Sequence, residues 1–231
     1  MSKIICFGDS WAAGAELDLQ KERPFIHWIS DELKIPYVNC GKEGSSLGII
    51  LHTIITQFNN ITSDDIVIII VPPDTRWYDE NQENGFYSIM NWQRDDYFKF
   101  LNQKTLEWFR YHHAMFIYTI QKIFDDIGCS YVMAHNYGQI DEYNKYHLKI
   151  NFDHFLSDQS LTELLSPSAV KWKSYPDHLS ADHRYDEDGP TEKAFVGPYF
   201  EGCKSHPNEH GHKYIAQLFL KKLKSLPDET D

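Results

Sequence analysis

The chain has 231 residues, 42% hydrophobic and 15% aromatic, and its 22 basic against 34 acidic residues leave a formal net charge of −12. An acidic chain without a Lys/Arg run makes nucleic acid and anionic membrane poor partners. The longest strongly apolar run, Ile66 to Val71, falls far short of the ~20 residues that span a bilayer and stops at Pro72-Pro73.

The length suits a single domain spanning residues 1–231. The first apolar stretch, Ile4 to Phe7, meets Gly8-Asp9 too soon for a secretory signal, so a cytoplasmic protein is expected. Four cysteines, Cys6, Cys40, Cys129 and Cys203, lack C-x-x-C spacing and read as reduced, small apolar residues.

Strand-like and helix-like segments alternate through the first 135 residues in the manner of a parallel α/β sheet. Residues 3–7 form a short strand ending at Gly8. A helix follows over 23–33, with Phe25, Ile26, Ile29 and Leu33 on one face, and then a strand from Ile35 to Cys40. Leu47, Ile50, Leu51, Ile54, Ile55 and Phe58 recur at helical spacing behind a cap at Ser45 or Ser46. The unbroken β-branched run Ile66–Val71 suits a strand covered on both faces, which places it at the centre of the sheet.

A polar, aromatic loop from Pro72 to about Arg94 leads into a long helix carrying Leu106, Phe109, His113, Phe116, Ile117, Ile120 and Phe124, closed by Gly128. Tyr131–Ala134 is the fourth strand. Residues 136 to about 205 form an irregular insertion with one amphipathic piece near Phe155 to Leu165, and a closing helix runs from about Glu209 to Leu223. Right-handed crossovers gather the strand C-termini on one edge, where chemistry is to be sought.

Ser10, in Gly8-Asp9-Ser10-Trp11, lies at that edge, where backbone N–H groups of the turn can hold an oxyanion. Near the other end, in Ser205-His206-Pro207-Asn208, proline and an asparagine cap present His206 just outside a helix. A serine nucleophile needs a base of near-neutral pKa within hydrogen-bond reach, and histidine supplies one.

In order and context these residues resemble the SGNH hydrolases, also called GDSL esterases and lipases. Gly8-Asp9-Ser10-Trp11 is similar to the family's nucleophile block, Asn39-Cys40-Gly41-Lys42-Glu43-Gly44-Ser45 to its second, and His206-Pro207-Asn208 with Gly211-His212 to its last. The resemblance implies a three-layer α/β/α sandwich around a parallel sheet. It further implies that Ser10 is the nucleophile, that Ser10 and Gly44 offer oxyanion N–H groups, that His206 is the base, and that no cofactor is needed. Asp9, Trp11, Arg76 and Trp77 are candidates to contact substrate.

Two blocks depart from the family pattern. Where an asparagine usually follows the third strand, the chain reads Val71-Pro72-Pro73-Asp74-Thr75-Arg76-Trp77, so Arg76, Asn91 or Asn136 must supply the missing donor. Three residues before His206, where the family has an aspartate, stands Cys203. The orienting carboxylate then comes from the insertion, with Asp182, Asp186, Asp188 and Glu201 as candidates, or the histidine works in a dyad held by a backbone carbonyl.

Rival readings use the same residues. His206, His210 and His212 are close in sequence, but Pro207 separates the first from the helix and no zinc-protease glutamate lies between them, so no metal is expected. Trp77, Tyr78, Phe86, Tyr87 and Trp92 either line a pocket or pack on the sheet. The expected activity is hydrolysis of a small ester, such as an O-acetyl or short-acyl group on a carbohydrate. The alternative is an impaired relative acting as a carbohydrate- or protein-binding module.

Overall fold

The computed structural model describes residues 2–73, 77–79, 87–89, 106–136, 141–165, 198–200 and 206–226. The strands are β1 (Ile4–Phe7), β2 (Tyr37–Asn39), β3 (Ile66–Val71), β4 (Trp77–Asp79), β5 (Tyr87–Ile89) and β6 (Ser130–His135). The helices are α1 (Ser10–Ala13), α2 (Phe25–Leu33), α3 (Leu47–Gln57), α4 (Leu106–Ile127), α5 (Leu161–Leu165) and α6 (Glu209–Leu223).

Four parallel strands form the central sheet in the order β2-β1-β3-β6, and β4 and β5 pair antiparallel on their own. Ile4 stands beside Tyr37 on one side and Ile66 on the other, while Ile66 to Val71 run beside Ser130 to His135. The C-terminal ends of the four strands therefore align, and the loops starting at Gly8, Cys40, Pro72 and Asn136 leave from one edge.

Alternation along the strands divides the core into two layers. Ile5, Phe7, Val67, Ile69, Val71 and Met133 face α3 and α4, meeting Leu47, Ile50, Ile54, Ile117, Ile120 and Phe124. Ile4, Cys6, Ile68, Ile70, Val132 and Ala134 face the other side, against Trp11, Phe25, Ile26, Ile29, Ile215 and Phe219. β3 has partners on both edges and helices on both faces, and its residues from Val67 to Val71 are fully enclosed. That is the physical reason for its unbroken β-branched run.

Local sequence chemistry sets the helix ends. Ser46 caps α3 by accepting from the Ile49 N–H, and Asn208 caps α6 by accepting from the Gly211 N–H. α4 closes on Gly128, whose φ is 74°. Cys6, Cys40 and Cys129 are free thiols, and burial pushes the Cys6 thiol well above its usual range.

Two stretches differ from expectation. The segment expected as a polar loop after β3 contains the β4–β5 pair. The expected insertion, in its described part, is core-forming: Tyr143, Ile150 and Phe155 are buried on the α3–α4 face, and Leu161 and Leu165 on the other. Phe155 bridges Met133 in parallel, and the Leu156 N–H donates to the Met133 carbonyl. Its single expected amphipathic piece, near Phe155 to Leu165, begins at the Phe155 bridge and is helical only in α5, Leu161–Leu165. Among the described residues no helix is long and apolar enough to cross a membrane.

Candidate active site

Ser10 opens α1 directly beyond β1, and the Asp9 side chain caps that turn by accepting from the Trp11 N–H at 3.1 Å. The second carboxylate oxygen of Asp9 accepts from Asn136 Nδ2 at 2.7 Å. Asp9 and Asn136 are both fully buried, so the bond holds the Ser10 turn to the end of β6 from inside the protein. Close packing sets the same turn from two further sides. A Cβ on Gly8 would lie 2.6 Å from the Ala12 Cβ and 2.8 Å from the Ile70 Cβ.

The loop after β2 lies directly on α1. A Cβ on Gly41 would come within 2.7 Å of the Ala13 nitrogen and 2.8 Å of the Ala12 carbonyl carbon, so only glycine fits there without a shift. Asn39 spans the same contact, donating Nδ2–H to the Ala12 carbonyl at 2.8 Å and accepting from the Gly41 N–H at 2.9 Å. The Lys42 N–H donates to the Gly8 carbonyl at 3.1 Å. Gly44, at φ 74°, thus stands in a loop fastened to the Ser10 turn by two bonds, Asn39 to Ala12 and Lys42 to Gly8.

His206 arrives from the other end of the chain. Its Nδ1 lies 2.8 Å from Glu16 Oε1, and the two side chains are 18% and 29% exposed. A carboxylate only accepts, so Nδ1 carries the hydrogen and Nε2 is left with its lone pair. Glu16 lies six residues after Ser10, in the connection between α1 and α2. That connection is tied to the start of α6 at two more points: the Arg23 N–H donates to Glu209 Oε1 at 3.1 Å, and the Phe25 N–H to His212 Nδ1 at 3.2 Å. Trp11 meets Phe200 edge-on at 6.0 Å, and the Asn208 N–H reaches the Tyr199 carbonyl at 2.8 Å.

Several expectations are thereby corrected. Asp9 and Trp11 are 0% and 1% exposed, so they shape the Ser10 turn from within and present no surface to a substrate. Asn136 spends its amide on Asp9 and is itself fully buried, which removes it as a replacement oxyanion donor. The carboxylate on His206 is Glu16, which lies outside the insertion. It escaped the sequence reading because a lone acid in a turn carries no motif, although its position on the β1 loop, at the active edge, was available as a signal. Arg76, Asn91, Cys203, Asp182, Asp186, Asp188 and Glu201 lie outside the described residues, and Trp77 is the first residue of β4.

Of the other histidines here, His212, His113 and His135 are buried, whereas His210 is exposed. His212 is fully buried with its Nδ1 accepting from Phe25, and burial, with the His206 charge next, holds its pKa down to about 3. His210 stacks on Tyr199 at 5.1 Å. Beyond β3, His113 Nε2 donates to the Pro72 carbonyl while its Nδ1 accepts from the Tyr143 hydroxyl, and burial lowers its pKa to about 3. His135, at the end of β6, is kept neutral by burial and then by His113, their rings 6.0 Å apart. Among the described residues no group of three His, Cys, Asp or Glu is placed to hold a metal.

No protein-family model matches the chain, and no curated protein does either. Its architecture does match solved structures. An alpha/beta hydrolase enzyme from the metagenome of Lake Arreo, Spain, aligns over 98% of this chain and 97% of its own, with a TM-score of 0.53 at 13% identity. A lipolytic protein of the G-D-S-L family from Desulfitobacterium hafniense aligns over 95% and 98%, at 0.50 and 12%. A two-domain esterase active on acetylated mannans aligns over 100% of this chain and 51% of its own, at 0.52 and 13%.

The chain has the SGNH hydrolase fold. In that fold the β1 turn with Ser10 and the β2 loop with Gly44 leave the same edge of the sheet, and His206 is bonded to Glu16 in the connection that follows α1.

Proposed function

We propose that this SGNH-fold protein is a serine esterase acting on a small ester, with an acetyl or short acyl group on a carbohydrate as the substrate class. Ser10 Oγ attacks the ester carbonyl carbon as His206 Nε2 takes its proton. The Ser10 and Gly44 N–H groups hold the resulting oxyanion. Collapse expels the alcohol, which takes the proton from His206. Water, deprotonated by His206, then releases the acid from the acyl-serine.

One observation carries this reading: His206 is held through Nδ1 to the loop that leaves the Ser10 helix, which leaves Nε2 as its basic atom. The missing aspartate was one ground for a non-catalytic binding module, beside the missing asparagine and the aromatic, histidine-rich insertion. The resemblance to esterases at the level of the fold supports ester chemistry, and a neighbour active on acetylated mannans is in keeping with an acetylated carbohydrate as the substrate class.

The test pairs hydrolysis of p-nitrophenyl acetate with labelling by a fluorophosphonate probe. Turnover and labelling are expected in the wild type and lost in Ser10→Ala. Activity that survives Ser10→Ala, or a wild type that never labels, would overturn the assignment and favour the binding module.

A further inference from the structure

We infer that Glu16 is the positioning carboxylate of His206, so that nucleophile and orienting acid ride on one segment of chain while the base comes from the other end. The inference rests on the serine-esterase reading and deepens it. In the resembling family the acid precedes the histidine by three residues and shares its loop. Here that position is Cys203, and a thiol neither accepts strongly nor carries charge at neutral pH.

Three observations point to Glu16. The first is its bond to Nδ1, at 2.8 Å, in the range of a charge-assisted hydrogen bond. The second is its backbone, which stands at φ 68°, a left-handed conformation that costs a residue with a Cβ free energy and persists where the surroundings over-determine it. The third is that the α1–α2 connection is pinned to the start of α6 beyond the pair itself, through Arg23 to Glu209 and Phe25 to His212. The carboxylate therefore does not depend on a long, free side chain finding its partner. The loop is held to the start of α6 by main-chain N–H groups bonded to the Glu209 and His212 side chains.

The chemical consequence follows from tautomer and charge. Accepting from Nδ1–H, Glu16 keeps the lone pair of His206 on Nε2, and its negative charge stabilises the imidazolium formed when Ser10 gives up its proton. Among the described residues, the connection also carries Asp18, Lys21, Glu22 and Arg23, with Asp18 paired to Lys21 and bonded through its N–H to Glu22. From α6, Glu209 is bonded to the Arg23 backbone, and His212 is kept neutral by burial and bonded to Phe25. Glu16 is the group that acts directly on Nδ1.

The experiment compares wild type, Glu16→Gln and Glu16→Asp on p-nitrophenyl acetate, with folding checked by circular dichroism and the imidazole N–H protons followed by NMR. Glutamine keeps size and can still accept through its oxygen, but it removes the charge. The expected result is a fall in kcat of between ~10² and ~10⁴ with KM changed less than about threefold. Aspartate, which tolerates the left-handed backbone but reaches one carbon less, is expected to restore part of the loss. The downfield N–H proton of a histidine–carboxylate pair should be present in the wild type, retained in Glu16→Asp and lost in Glu16→Gln. A folded Glu16→Gln with wild-type kcat, or with the downfield proton unchanged, overturns the inference while leaving Ser10 and His206 in place. A wild type without Ser10-dependent turnover overturns the esterase reading and this role with it.

Discussion

Lowering the pH is expected to unfold this protein through three histidines buried in neutral form. Burial holds His113 and His212 down to about 3, and His135 well below its ordinary value of about 6.5. A lowered folded-state pKa means that the unfolded chain binds the proton first as pH falls. Stability is therefore full above the unfolded value and declines below it, until the folded value is reached. Taking the unfolded value near 6.5, His113 and His212 each cost about 2 kcal/mol between about pH 7 and about pH 5, ~4 kcal/mol together, and His135 adds to the loss in the same direction.

That loss approaches the whole stability of many domains, which runs to roughly 5–15 kcal/mol. Urea unfolding at the two pH values, with the denaturant slope held in common, measures it. Replacing His113 with glutamine sacrifices its bonds to Pro72 and Tyr143 and lowers stability at every pH, but it is expected to reduce the loss between the two pH values by about 2 kcal/mol. A wild type losing less than about 2 kcal/mol in all, or a His113→Gln protein with an unchanged pH dependence, would refute the reasoning.

Two further substitutions test the scaffold around Ser10. Gly41→Ala forces a Cβ to 2.7 Å from the Ala13 nitrogen. It is expected to cost about 1–3 kcal/mol in urea unfolding and to slow fluorophosphonate labelling, and an unchanged midpoint would show that the β2 loop and α1 are not packed so closely. Asn136→Asp replaces the donor that faces Asp9 at 2.7 Å with a second buried carboxyl. Its deficit from wild type is expected to be at least about 2 kcal/mol at neutral pH and to shrink as acid protonates one of the pair; a thermal midpoint equal to wild type near neutrality would count against the buried bond.

Much of the framework was legible because it rests on short-range or repetitive signals. The β-branched run at Ile66–Val71, the cap at Ser46 and the helical face of Phe109, His113, Ile117, Ile120 and Phe124 each follow from a few neighbouring residues, and the observed elements sit on them. The β4–β5 pair and the burial of Tyr143, Ile150 and Phe155 were not legible. Short strands and aromatic loop residues take their structure from what they pack on, and local pattern does not record that.

The same division runs through the site. The sequence by itself determined that Ser10 follows the first strand, that Gly41 and Gly44 follow the second, and that His206 precedes a capped helix. Parallel strands then require the first two loops to leave one edge of the sheet. Only the tertiary structure decided which carboxylate meets His206, because Glu16 and His206 are 190 residues apart in the chain. It also decided that Asp9 faces Asn136, 127 residues away, instead of a substrate. Hydrogen bonds depend on ångström-scale placement across long loops, and no spacing along one chain encodes the distance between two of its ends.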